Sequence, residues 1–185
     1  MDISATDKGR SEVLSNSKGA AGSWKGPDGV AHEMAWHNSL VPSAWFAPHA
    51  VIAGMSGSDV TLSYIGEEER NGIKVDHIRY KRQLPVDPNN PLPKFAMDPS
   101  TLTVVNLYLD QVSHRPLAIE YNLHPDKNAN RNIPVEVRYA DYRATNGIQA
   151  PFRIQRLINH SLNLDLTLTS ASLNAGLPES DFAVK

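Results

Sequence analysis

His32-Glu33-Met-Ala-Trp-His37 brings together two histidines and a glutamate, the residue types of a zinc hydrolase. The metalloprotease pattern H-E-x-x-H places its histidines at i and i+4, on one helix face. Here the spacing is i and i+5, which on a helix separates the two rings by ~140° and on a strand turns them to opposite faces. The spacing predicts two hairpin histidines and no metal. Gly54-Met-Ser56-Gly-Ser58 approaches a nucleophile elbow, but Ser58 stands where the second glycine belongs. It reads as the end of a helix. His114 and His124 are scattered, while Asp141 and Arg143 share strand parity and are expected to pair as a structural brace of a turn. Arg79, Lys81 and Arg82 crowd one strand end, as a solvated edge does or as a place for an anionic headgroup would. Asn159-His-Ser161 matches a glycosylation sequon, a weak pattern. No nucleophile stands beside a base, no glycine loop cradles phosphate, and no metal ligands cluster. The chain is expected to be no enzyme, with no catalytic residue, no metal and no cofactor.

The elements that carry these residues alternate with period two. Leu162, Leu164, Leu166 and Leu168 interleave with Asn163, Asp165 and Thr167. Ile133, Val135, Val137 and Tyr139 repeat the pattern, as do Val105, Leu107 and Leu109, and Phe152 with Ile154 against Arg153 and Gln155. Such strands have one wet and one dry face, as antiparallel sheets commonly do. Gly26-Pro-Asp-Gly29, Asn71-Gly72 and Asn146-Gly147 supply tight turns. Strands are predicted near 2–6, 11–16, 20–25, 30–37, 59–66, 73–83, 102–110, 116–123, 133–143, 148–159 and 163–173, joined mostly as a meander. Within 73–82 the apolar parity switches between Val75 and Ile78, which predicts a bulge near Asp76-His77 that keeps both on the dry side.

Two connections are not hairpins. Residues 39–57 hold Pro42 and Pro48, each suited to a first helical turn, and predict one or two short apolar helices. Residues 84–99 carry five of the thirteen prolines and predict an irregular loop with a helical turn near Lys94-Phe95. Asp126 to Asn132 reads as a polar loop. The whole is expected to be a single domain, 1–185.

Composition narrows the class. The 185 residues carry 18 Lys+Arg against 20 Asp+Glu, so no basic face for nucleic-acid phosphates is expected. Zero cysteines exclude disulfides and thiol nucleophiles. Residues 34–58 lack Asp, Glu, Lys and Arg, but Asn38, two prolines and two glycines break them, so they are not a transmembrane helix.

A mainly β chain with one apolar face per strand must close, pair or curl around something apolar. The uncharged 39–57 segment suits a lid over the open side of a strongly curved antiparallel sheet. An interior of Leu, Val, Ile, Tyr and Trp suggests an acyl chain, since sixteen buried methylenes contribute roughly 13 kcal/mol at ~0.8 kcal/mol each. Alternation nominates Trp36, Trp45, Phe46, Ile52, Tyr64 and Ile78 as lining residues. Tyr80, Leu107, Val137, Leu164 and Leu166 complete the set.

Ile133-Pro-Val-Glu-Val-Arg-Tyr139, Asp141-Tyr-Arg143, Asn146-Gly147-Ile148, Pro151-Phe152-Arg-Ile154 and Leu173-Asn174 through Asp181-Phe182 resemble bacterial envelope proteins of the LolA/LppX-like group. The Trp24 hairpin and Trp45-Phe46 are similar to members of that superfamily too. The resemblance implies an eleven-stranded, strongly curved antiparallel half-barrel with short helices on the concave face. It also implies a signal peptide and an N-terminal helix, neither of which the sequence shows, so the chain is expected to lack its first segment. The function implied is a non-catalytic carrier of lipids or lipoprotein acyl chains in the periplasm or cell envelope. A membrane or lipoprotein partner is expected, and a monomer. The alternative is an envelope sensor or docking domain whose concave face binds a protein.

Overall fold

The computed structural model describes residues 2–5, 8–15, 21–25, 28–40, 42, 45–84, 98–172, 176 and 178. Among the described residues, eleven strands and one α-helix follow one another. Strands β1 (Asp2–Ala5), β2 (Lys8–Ser15), β3 (Ala21–Lys25) and β4 (Ala31–Glu33) form a four-stranded sheet in sequential order. Strands β5 (Val60–Arg70), β6 (Ile73–Arg82), β7 (Val105–Asp110), β8 (Pro116–Leu123), β9 (Ile133–Thr145), β10 (Ile148–Ile158) and β11 (Ser161–Thr167) form a seven-stranded one, also sequential. Every pairing is antiparallel. The larger sheet is curved and ends in two edges, β5 and β11, so it does not close into a barrel. The meander and the curved sheet expected from alternation are both present.

Between β4 and β5 the chain turns helical, with a 3-10 turn at Trp36–Asn38, helix α1 at Pro48–Ala53 and a second 3-10 turn at Gly54–Ser56. Pro48 opens α1, where its missing N–H costs nothing. The strand expected over 30–37 therefore ends at Glu33. A third 3-10 turn, Pro99–Thr103, replaces the predicted start of β7. Asp98 caps it, accepting from the Ser100 backbone N–H at 3.0 Å, and Pro99 follows at its first position. That Asp-Pro-Ser start is a helix signal which the strand reading of 102–110 passed over. Lys81 and Ser100 hold the Asp98 carboxyl well below the usual carboxylate range. The helical turn expected near Lys94-Phe95 lies outside the described residues. Among the described residues, no helix is long and apolar enough to cross a membrane.

One face of the large sheet carries the core. Val105 and Leu107 lie across from Tyr121 and Ile119, which lie across from Val135 and Val137. Tyr139 continues the row to Ile154, and Ile154 to Leu166. Trp45, Val51 and Met55 of the helical segment close onto these side chains. The lid expected on the dry face is thus in place.

The other face holds a small second cluster of Val75, Tyr108 and Ala118 with Leu117. This corrects the bulge expected near Asp76-His77. The β6–β7 register runs unbroken from Val75↔Asp110 to Tyr80↔Val105, so Val75 and Ile78 stay on opposite faces. The extra residue sits in the neighbouring strand, between Tyr64 and Gly66 of β5, where Gly66 adopts φ 148°. Val75 leaves water without changing face, because Tyr108 packs beside it. Arg70 lies 3.6 Å over the Tyr108 ring and pairs with Glu120 and Glu136.

A similar bulge corrects the leucine ladder. The β10–β11 register shifts between Arg156 and Leu157, so Leu162 pairs with Leu157 while Leu164 pairs with Arg156. Leu162 is consequently 58% exposed, whereas Leu164, Leu166 and Leu168 pack against the core. The turn before it is Asn159-His160, both at positive φ (48° and 62°), a two-residue hairpin reversal where only a sequon was visible.

The Trp36–Asn38 turn is latched to the β8–β9 loop. His37 Nε2 lies 3.2 Å from the Pro125 carbonyl, and the His37 and His124 rings meet edge-on at 5.7 Å. Burial pushes the His124 imidazole below its ordinary value of 6.5; the Arg131 carbonyl opposes this and the charge of His37 adds to it. The exposed Asp126, Lys127 and Arg131 side chains are the other charged groups of that loop. A depressed histidine binds fewer protons folded than unfolded, so stability falls as pH drops through 6.5. Urea midpoints should decline from neutral toward acid, with a shallower decline in His124→Gln. Identical slopes in the two proteins would assign the acid sensitivity elsewhere.

Candidate functional site

The inner face of the seven-stranded sheet and the 45–56 segment above it form the candidate site. Of the eleven nominated residues, seven meet in one cluster: Trp45, Phe46, Tyr80, Leu107, Val137, Leu164 and Leu166. Register adds Ile78, across from Leu107, and Tyr64, across from Ile78. Ile52 is turned outward and is 39% exposed, while its neighbours Val51 and Met55 supply the buried contacts of the helical segment. Trp36 stands apart, half-buried in the 3-10 turn that docks on the β8–β9 loop. It does not line the cluster.

These positions fall into three depths. Trp45, Leu107 and Val137 are sealed, at 3%, 2% and 0% exposure. Phe46, Ile78, Tyr80, Leu164 and Leu166 are half-buried. Tyr64 is 62% exposed at the β5 edge, where its hydroxyl donates to Asp76 at 3.1 Å. Solvent therefore reaches the half-buried row from the rim, while the floor is closed to it.

Three contacts hold that segment down. The Tyr139 hydroxyl donates to the Trp45 carbonyl at 2.5 Å, and burial pushes the Tyr139 phenol above the tyrosine range. The Arg156 guanidinium lies 4.8 Å over the Trp45 ring. Phe46 meets Trp45 edge-on at 5.9 Å. Arg82 Nη2 donates to the Gly54 carbonyl at 3.3 Å, so the segment is clamped by two hydrogen bonds and one cation–π contact on a bed of apolar side chains.

Arg156 is the residue that the sequence reading missed. It pairs with Val137 on one side and Leu164 on the other, so it faces inward. The signal was available: Ile154 and Arg156 share parity, and alternation from Phe152 carries both to the dry face.

The remaining polar candidates assemble into no catalytic group. His32 stacks on Trp24 at 4.2 Å, remote in role from His37 against Pro125. The Ser56 hydroxyl donates to the Ala53 carbonyl at 3.0 Å, a helix-end contact. Asp141 and Arg143 form the brace expected of them, with Arg143 Nη2 at 2.6 Å, which holds the Asp141 carboxyl below its usual range. Arg79, Lys81 and Arg82 are engaged rather than open, by Asn106, Asp98 and Asp59 respectively. Among the described residues, no three histidine, aspartate or glutamate side chains converge on a point that could hold a metal ion.

No family model matches the chain, and a search of curated proteins returns no match. Among solved structures, an outer membrane lipoprotein-sorting protein domain from Vibrio parahaemolyticus superposes with a TM-score of 0.52 at 14% identity, over 97% of this chain and 72% of that one. The fold is LolA-like. A DUF1329 family protein from Desulfovibrio piger also matches, with a TM-score of 0.43 at 9% identity over the same shares. Among the described residues of this LolA-like fold the strands separate into sheets of four and seven, where the resemblance implied a single eleven-stranded half-barrel. The separation falls between β4, which ends at Glu33, and β5, which begins at Val60.

Proposed function

We propose that the chain is a non-catalytic carrier of lipids or lipoprotein acyl chains in the bacterial cell envelope. The observation that carries this reading is an open, curved sheet whose inner face is apolar and only partly closed by a short helical segment. A row of half-buried leucines, Leu164, Leu166 and Leu168, runs along its β11 rim. Apolar area of this kind binds by exclusion of water and needs no reactive group. The likeness to a lipoprotein-sorting domain supports the same reading.

One observation favours a second reading, an envelope sensor or docking domain that holds a protein partner. The floor of the site, Trp45, Leu107 and Val137, is sealed. Native mass spectrometry of protein purified from cells separates the two: co-purifying acyl species support the carrier, and an empty chain supports the docking domain.

Leu166→Trp tests the carrier directly. Leu166 is half-buried at the rim, across from Ile154. A bulky ring there should weaken uptake of a fluorescent fatty acid about tenfold, equivalent to about 1.4 kcal/mol. Its cost in stability should stay below about 1 kcal/mol, because a half-buried rim position can turn the added ring toward solvent, where a filled core loses ~1–3 kcal/mol on overpacking. Thr167→Trp, one residue along on the exposed face, should change neither. Thr167 makes a cleaner control than Asp165, which holds Arg153 and Gln155. Unfolding by Leu166→Trp, with no uptake by the wild type, would make the inner face an ordinary core.

A further inference from the structure

We propose that Arg156 is the anchor for the acidic headgroup of the bound amphiphile, so that the site selects an ionised acyl chain over a neutral one. The inference rests on the carrier reading and adds the ligand's charge to it. Arg156 stands on the inner face between Val137, which is fully buried, and Leu164. Five of the arginines are matched by carboxylates: Arg70 by Glu120 and Glu136, Arg82 by Asp59, Arg138 by Glu136, Arg143 by Asp141 and Arg153 by Asp165. Arg82 is the other inner-face arginine by strand parity, and it has its anion.

Arg156 has neutral partners among the described residues. Its Nε and Nη2 donate to the single oxygen Asn163 Oδ1, at 3.2 and 2.9 Å, and its plane rests on the Trp45 ring. A guanidinium carries five N–H donors in a planar fork suited to two acceptor oxygens at once. Asn163 is one acceptor and the indole face is none, so donors remain for a carboxylate. Trp45 and Asn163 hold the fork in place beforehand, which lowers the entropy lost on binding. Acyl methylenes would lie along Leu164, Leu166 and Ile154, with the carboxylate turned to the fork.

The experiment compares a pyrene-labelled hexadecanoic acid with the corresponding labelled hexadecanol, titrated into the full chain at about pH 8, far above the ordinary carboxylate range near ~4. The wild type should prefer the acid about tenfold or more, equivalent to about 1.4 kcal/mol. Arg156→Gln should erase that preference, read as the ratio of acid to alcohol affinity within the variant. Arg156→Lys should keep part of it, having the charge but not the fork. Melting temperatures check that the variants fold; if Arg156→Gln does not, the acid-to-alcohol ratio of the wild type and of Arg156→Lys still decides. Equal binding of acid and alcohol by the wild type would overturn the anchor and leave the carrier standing. So would a preference that survives Arg156→Gln, since Arg156 would then only pack on Trp45. Binding of neither probe would overturn the carrier reading, and the anchor with it.

Discussion

Trp45→Ala lowers the unfolding free energy by about 3–5 kcal/mol, the cost of truncating a buried tryptophan. For a chain of this size that corresponds to a melting temperature lower by about 6–20 °C. Trp45 is 3% exposed and packs with Val51 and Met55 against the sheet. Its ring receives Arg156 on its face and Phe46 at its edge. Removing it leaves a cavity that the short helical segment cannot collapse into without releasing the Tyr139 hydrogen bond. The same variant should bind a hydrophobic dye more strongly, because the inner face loses its cover. Thermal melts and dye titration read the two effects together. A loss under about 1 kcal/mol would place Trp45 among surface substitutions and remove the helical segment from the core.

Asn38→Ala should cost about 2–4 kcal/mol. Asn38 Nδ2 donates to the His124 carbonyl at 2.7 Å, while its Oδ1 accepts from the His124 N–H at 2.9 Å. One side-chain amide thus satisfies both backbone groups of a buried residue 86 positions away. Alanine leaves an unpaired donor and an unpaired acceptor, each costing ~1–3 kcal/mol when buried. Asn38→Asp keeps the acceptor but sets a carboxylate oxygen against the buried His124 carbonyl, so its penalty should equal or exceed that of alanine. Urea denaturation measures the order, and hydrogen exchange at the His124 amide should quicken in the alanine variant. Wild-type exchange at that amide in Asn38→Ala would mean that water replaces the side chain and that no latch exists.

Much of the site was legible from parity. Leu107, Val137 and Tyr139 come to one face because side chains alternate along a strand whatever its neighbours do. Tyr80, Leu164 and Leu166 were found by the same rule, and Trp45 by its place in an uncharged segment. Two of the failures share a cause. Leu162 was assigned to the inner face and Val75 was moved to it, because alternation cannot say which strand of a pair carries a bulge. That residue sits in β5 for one pair and in β11 for the other, and each choice is made by the fit of two strands together. Arg156 was passed over for a different reason. Its parity was inward, but an arginine among leucines reads as a surface residue until Trp45 and Asn163 are seen beside it.

By itself the sequence determined the strands, their mostly sequential pairing, the helical character of the segment after β4, and the absence of a spaced catalytic motif. Each of these is a local property, set by period, turn residues and prolines within a few positions. Only the tertiary structure decided that the sheet splits after β4, and that Ile52 and Trp36 stand off the inner face while Arg156 stands on it. The latch of Asn38 on His124 was its decision too. These features depend on partners dozens of residues away, whose encounter is fixed by the burial of the whole inner face and not by any local preference.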